Sequence, residues 1–183
     1  MEMDALGLIE LNSVPAGIEV GDAMLKVAAT TLVFAQAVCP GKFVVMVRGE
    51  VAAVTSAVTV GENIARESLI DSIVIPGLHP QVFEAIIGAG ELAAHGALGA
   101  IETFSLAACI YASDRAVKAA DVRLVEIRLG RGLGGKSYMV VSGDVAAVSE
   151  AVEVGIKSPK CGGMIARKMV IPAPHASMRD ALM

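Results

Sequence analysis

Cys39, in Ala37-Val38-Cys39-Pro40-Gly41-Lys42, is the residue whose type and setting offer the most chemistry. Pro40-Gly41 marks a turn, so the thiol stands at a tip between two apolar runs. The residues leave two readings open. One is a half-buried structural thiol, a role free cysteine often plays. The other is a reactive or metal-binding thiol whose ionisation Lys42 favours. One cysteine does not hold a metal, but a symmetric oligomer multiplies it, and in a trimer three copies of Cys39 could meet on the axis. Cys109 falls inside an expected helix and reads as core. Cys161, in Ser158-Pro159-Lys160-Cys161-Gly162-Gly163, reads as a solvent-side or packed loop thiol, with an additional metal ligand as the alternative.

Gly130-Arg131-Gly132-Leu133-Gly134-Gly135-Lys136 followed by Ser137 formally has the spacing of a phosphate-binding loop. Such a loop must open a helix to aim its amides at phosphate, and here an expected strand follows. Asp22 with Lys26 and Asp114 with Lys118 stand four apart on expected helices, the spacing of ordinary ion pairs. His79 and His175 each begin a short helix and read as surface or capping residues. No credible Ser-His-Asp, Cys-His or paired-carboxylate catalytic set stands out.

The elements that position these residues come in two copies. Leu6-Gly7-Leu8-Ile9-Glu10 recurs as Leu98-Gly99-Ala100-Ile101-Glu102, and Gly49-Glu50-Val51-Ala52-Ala53-Val54 as Gly143-Asp144-Val145-Ala146-Ala147-Val148. The offset drifts only from about 92 to about 96 residues along the chain. Each copy reads β-α-β-β-α-β-α. The first has strands over Leu6 to Leu11, Thr30 to Val38, Phe43 to Val47 and Leu69 to Ile75. Its helices run over Pro15 to Ala29, Gly49 to Glu67 and His79 to Ile87. Ile18, Met24, Leu25 and Ala28, and then Val51, Val54, Val58 and Ile64, supply the expected buried stripes. Expected domains are 4–87 and 97–183, and the glycines of the segment 88–96 suit a flexible linker. The order is that of the ferredoxin-like, split β-α-β type. The fold class is α+β, with two tandem domains, each an antiparallel sheet flanked by helices.

The 183 residues are 55% hydrophobic and 19% charged, without tryptophan, and carry a net charge of −4. Small aliphatic residues dominate the apolar excess, which suits extensive subunit contact. No run approaches the 18 or so clean apolar residues of a membrane span. The acidic start lacks a secretory leader's basic region. A cytoplasmic protein is expected. Negative charge argues against a general nucleic-acid surface. Three cysteines in a reducing compartment do not suggest disulfides.

Leu6-Gly7-Leu8-Ile9-Glu10, Asp22-Ala23-Met24-Leu25-Lys26 and Gly41-Lys42 with Gly49-Glu50-Val51 resemble bacterial microcompartment shell proteins. Both copies match, as in the tandem-domain, trimer-forming class. Cys39-Pro40-Gly41-Lys42, Gly132-Leu133-Gly134-Gly135-Lys136 and Ile171-Pro172-Ala173-Pro174-His175 resemble its iron–sulfur members. The resemblance implies a homotrimeric, pseudo-hexameric tile meeting other shell proteins at edges that carry Lys26 and Lys118. It implies a pore lined by Pro40, Gly41, Lys42, Gly132, Leu133, Gly134 and Gly135. It implies one [4Fe–4S] cluster per trimer, held by Cys39 of three subunits, for electron or cluster transfer across the shell, with an encapsulated redox enzyme as a further partner. The alternatives are a cluster-free pore for a small metabolite and a soluble ferredoxin-like regulator that binds a small effector.

Overall fold

A computed structural model describes residues 5–93, 95–130, 132–157 and 159–182. The expected domain limits at 4 and 183, and Arg131 and Ser158 of the loops, lie outside that set. The chain divides into two compact units: residues up to Leu78 with Gly130–Gly135, and His79–Leu129 with the chain from Lys136 onward.

In the first unit β1 (Ala5–Leu11), α1 (Val14–Val27), β2 (Thr31–Val38), β3 (Lys42–Gly49), α2 (Val51–Ala65) and β4 (Leu69–Ile75) follow one another. Their sheet has the order β2-β3-β1-β4, antiparallel throughout. The second unit begins with α3 (Pro80–Ile86), which the chain delivers ahead of the second sheet. Next come β5 (Ala97–Thr103), α4 (Leu106–Ala119), β6 (Arg123–Leu129), β7 (Ser137–Gly143), α5 (Val145–Ile156), β8 (Ile165–Ile171) and α6 (Ala176–Asp180), with sheet order β6-β7-β5-β8.

The same local chemistry starts both copies. Ser13 and Ser105 cap α1 and α4, accepting from Ala16 N at 3.4 Å and Ala108 N at 3.2 Å. Gly7, central in β1, lets α2 settle onto the sheet: a Cβ there would lie 2.7 Å from Val54 and Val58. Gly99 does the same beneath Val148 and Val152. The first core gathers Ile9, Leu11, Val20, Met24, Phe43, Val45, Val54 and Val58.

Two expectations give way. The helix stripes are only half right: Val54, Val58 and Met24 are buried, but Ile18, Leu25, Val51 and Ile64 are exposed. α1 instead buries Gly17, Val20, Gly21 and Met24. Its sheet-facing side is narrow because Phe43 and Val45 rise into the space beneath the glycines. The linker is also tied down rather than free. Ala93 N donates to Ser142 Oγ at 2.9 Å, and Arg179 Nη1 from α6 donates to Gly96 O at 2.9 Å. Gly90 runs so close to β6 that a Cβ would lie 2.2 Å from Val125 O.

Candidate functional site

The β2–β3 hairpin, paired up to Val38 and Lys42, projects Cys39-Pro40-Gly41 as its turn. The Cys39–Pro40 peptide is cis, and Gly41 takes the left-handed φ of 69° that closes the turn. Cys39 is exposed, whereas Cys109 and Cys161 are buried. An exposed tip thus replaces the half-buried thiol of the structural reading. Burial pushes the Cys109 thiol up to about 12, although a hydrogen bond with Thr103 pulls it down. Cys161 Sγ lies 3.6 Å from Ala108 O, which makes it a packed thiol rather than a solvent-side one. Among the described residues, no cluster of three or more His, Cys, Asp or Glu side chains within this single chain is arranged to hold a metal.

Lys42, the cation expected to act on the thiol, instead pairs its Nζ with Glu10 Oε1 at 2.6 Å. The Glu10 side chain is fully buried on β1, so this pair anchors the root of the turn. Lys136 and Glu102 repeat the pair at 2.8 Å, partly exposed. Sequence reading overlooked Glu10 and Glu102. The signal was present, since both acid and lysine recur in each copy, but strand register is needed to bring β1 beside β3.

The glycine-rich segment packs with the Cys39 turn in the first unit. Cys39 N donates to Gly130 O at 3.1 Å. Gly135 is buried against Pro40, while Gly132 and Gly134 are exposed, with no atom near the place of a Cβ. Leu133 is half-buried, and Pro40 and Gly41 are exposed. Ser137 opens strand β7, so the phosphate-loop geometry is absent.

Lys26 pairs with Asp22 at 2.5 Å in the open. Lys118 pairs with Asp114 at 2.6 Å, and Asp114 is buried because its Oδ1 also accepts from His79 N at 2.9 Å. His79 and His175 are helix caps, each Nδ1 accepting a backbone N–H two residues on at 3.3 Å. A feature sequence reading missed is a cavity of about 520 Å³ in the second unit, lined by Gly90, Leu92, Glu126, Arg128 and Tyr138 among others. Its polar groups satisfy one another: Tyr138 Oη donates to Glu126 Oε2 at 2.8 Å, and Arg128 pairs with the other oxygen. Burial and that hydrogen bond push Tyr138 up to about 12. Among the described residues, no helix is long and apolar enough to cross a membrane.

The BMC domain family matches the chain twice, over residues 5–78 and 97–174. Bacterial microcompartment shell protein PduT of Citrobacter freundii is 47% identical over 174 residues, covering 95% of each chain. Bacterial microcompartment shell protein EutM of Salmonella typhimurium is 42% identical over 85 residues, covering 46% of this chain and 85% of its own length. The crystal structure of a microcompartment protein from Desulfitobacterium hafniense DCB superposes with a TM-score of 0.89 at 48% identity, covering 97% of this chain and 99% of that one.

Proposed function

The chain belongs to the bacterial microcompartment shell proteins, a structural family rather than an enzyme family, and we propose that three copies close into a ring of six repeats whose centre holds one [4Fe–4S] cluster on Cys39. One observation carries the ring. Equivalent residues of the two copies differ in exposure as though one contact had been made and its counterpart left open. In the second unit α3 packs on β6 and α4, with Gln81 Oε1 accepting from Leu124 N at 2.8 Å. Ile110, Val117 and Leu124 are buried there. Their counterparts Ile18, Leu25 and Leu32 lie exposed, Ile18 at 61% against 0% for Ile110. The covering helix has its own counterpart in α6, where Met178 is 57% exposed and Val82 of α3 is 0% exposed. Each chain therefore begins with an uncovered acceptor face and ends with an uncovered donor. A head-to-tail contact of that kind repeats from copy to copy and forms a ring where the rotation closes.

The turn chemistry supports the cluster. Cys39 offers a soft, exposed sulfur, and the positions of Gly41, Gly132 and Gly134 leave open space around the tip. Thiolates are the ordinary ligands of iron–sulfur clusters, which supply one-electron transfer when bound. Three symmetry-related thiolates leave one of four irons for another donor. Fusion of two unlike copies yields that count, since identical repeats would bring six.

Anaerobic purification or reconstitution should give about four irons per three chains, with the visible absorption and EPR of a cubane cluster. Cys39→Ala should lose both. No iron in the wild type, or an unchanged spectrum in Cys39→Ala, overturns the cluster and leaves a pore for a small metabolite. Mass measurement in solution tests the ring separately.

A further inference from the structure

We propose that the glycine-rich loop of the second copy is the positioning element for Cys39, so that one copy supplies the sulfur and the other sets where it stands. The inference rests on the cluster reading for its purpose, but not for its geometry. Two contacts carry it. The backbone N–H of Cys39 is held by Gly130 O at 3.1 Å, across 91 residues of sequence. Gly135 then lies so close to the turn that a Cβ would stand 2.7 Å from Pro40 Cδ and 3.3 Å from Cys39 O. The first distance is one that real Cβ atoms essentially never show, and the proline ring, closed onto its own backbone, does not swing aside. The absence of a side chain at Gly135 is thus what lets the Cys39-Pro40 turn seat.

The repeat offset gives the loop its reach. It is 92 residues from Lys26 to Lys118 and 94 from Gly41 to Gly135, so the second copy gains two residues. The turn in the first copy spans only Cys39 to Gly41 between β2 and β3. The longer loop runs between β6 and β7 from Gly130 to Lys136, and its stretch Gly130–Gly135 lies in the same compact unit as the turn. In a ring of identical repeats, donor and support would share one sequence, and neither could be optimised alone. Covalent fusion removes that constraint and supplies each Cys39 with a glycine-rich support.

Gly134 provides the matched control. Gly134 and Gly135 both have left-handed backbone, with φ of 60° and 87°, so alanine strains either. Only Gly135 has a neighbour in the way, since nothing lies within 4 Å of a Cβ at Gly134. The readout is the alkylation rate of Cys39 in the iron-free full chain, where buried Cys109 and Cys161 stay silent. Gly135→Ala should change that rate about threefold or more, and Gly134→Ala should stay within about twofold, at unchanged far-UV circular dichroism. In the wild type, hydrogen exchange should find the Cys39 amide protected. In the iron-loaded protein, Gly135→Ala should shift the EPR signature and midpoint potential, and Gly134→Ala should not.

A wild type that takes no iron defeats the cluster reading but leaves the thiol comparison standing. Equal alkylation rates in the two variants, or a Cys39 amide that exchanges like a free turn, overturns the positioning role. The exchange measurement holds even if Gly135→Ala fails to fold.

Discussion

The two halves of this chain share a strand order but differ where function is placed. At the root of the first helix, Gly17 leaves room for Phe43: a Cβ would lie 2.3 Å from its ring. The second copy fills the same positions with Cys109 and Ser137, both buried, the serine Oγ without a hydrogen-bond partner. The first helix is open on its outer face, and the second is covered. The first hairpin ends in a cysteine turn, and the second in a loop of glycines. The shared residues maintain the fold, and the differing ones assign each half a task.

The largest effect should come from placing the same charge on the covered and the open face. Ile110→Asp buries an unpaired carboxylate and should cost more than about 4 kcal/mol, enough to lose the cooperative fold of the second half. Ile18→Asp, at an exposed position, should change unfolding by no more than about 0.5 kcal/mol. It should nonetheless convert the assembled species to single chains in light scattering. If Ile18→Asp stays assembled, the open face is not the contact between copies.

The next contrast is chemical. The folded Cys109 thiol keeps its proton up to about 12, whereas an unfolded thiol gives it up near the ordinary 9.0. The fold therefore holds the extra proton between those values, and stability falls as pH rises through that window. Three pH units correspond to a loss of at most about 4 kcal/mol. The first copy has Gly17 at this place and no group to titrate. Alkaline denaturation from about pH 9 should therefore begin in the second half by hydrogen exchange, and Cys109→Ala should flatten it. An unchanged slope in that variant assigns the lability elsewhere.

Much of this difference is legible in the sequence. The repeat, the strand order and the capping histidines follow from alternation, turn residues and spacing. The apolar stripes misled because α1 carries apolar residues on two sides, only one of which is buried in the chain. Its sheet face is built from Gly17 and Gly21, which hydrophobicity patterns overlook, while Ile18 and Leu25 point outward. A helix with two apolar faces has no single stripe to find. The linker looked flexible because glycine favours both loose chain and close backbone approach, and only the proximity of Gly90 to Val125 O decides between them. The site was half legible. Cys39 stood out by type, but Glu10 and Gly135 matter through register and contact, which no local pattern encodes.

The anchoring ion pairs give a smaller contrast. Lys42→Met removes the cation from a fully buried Glu10 and should cost about 3 kcal/mol. Lys136→Met removes it from a Glu102 whose side chain is partly exposed and should cost less than about 1 kcal/mol. Urea unfolding at fixed protein concentration measures both. Equal costs would mean that burial of the acid does not distinguish the two turns.

The smallest contrast concerns the aspartates of the paired helices. Asp22 pairs with Lys26 and stands in solvent, where such a pair contributes a few tenths of a kcal/mol. Asp114 also accepts the N–H of His79, which begins the helix covering its face. Asp22→Ala should therefore shift unfolding of the separated chain by about 0.3 kcal/mol, and Asp114→Ala by about 1 to 2 kcal/mol. The difference should narrow in the assembled protein. There His175, which caps α6 as His79 caps α3, would bring its N–H to Asp22 of the next copy. Asp22→Ala would then weaken association while barely touching the isolated fold, and a variant that affects neither would show that the two helix contacts are not equivalent.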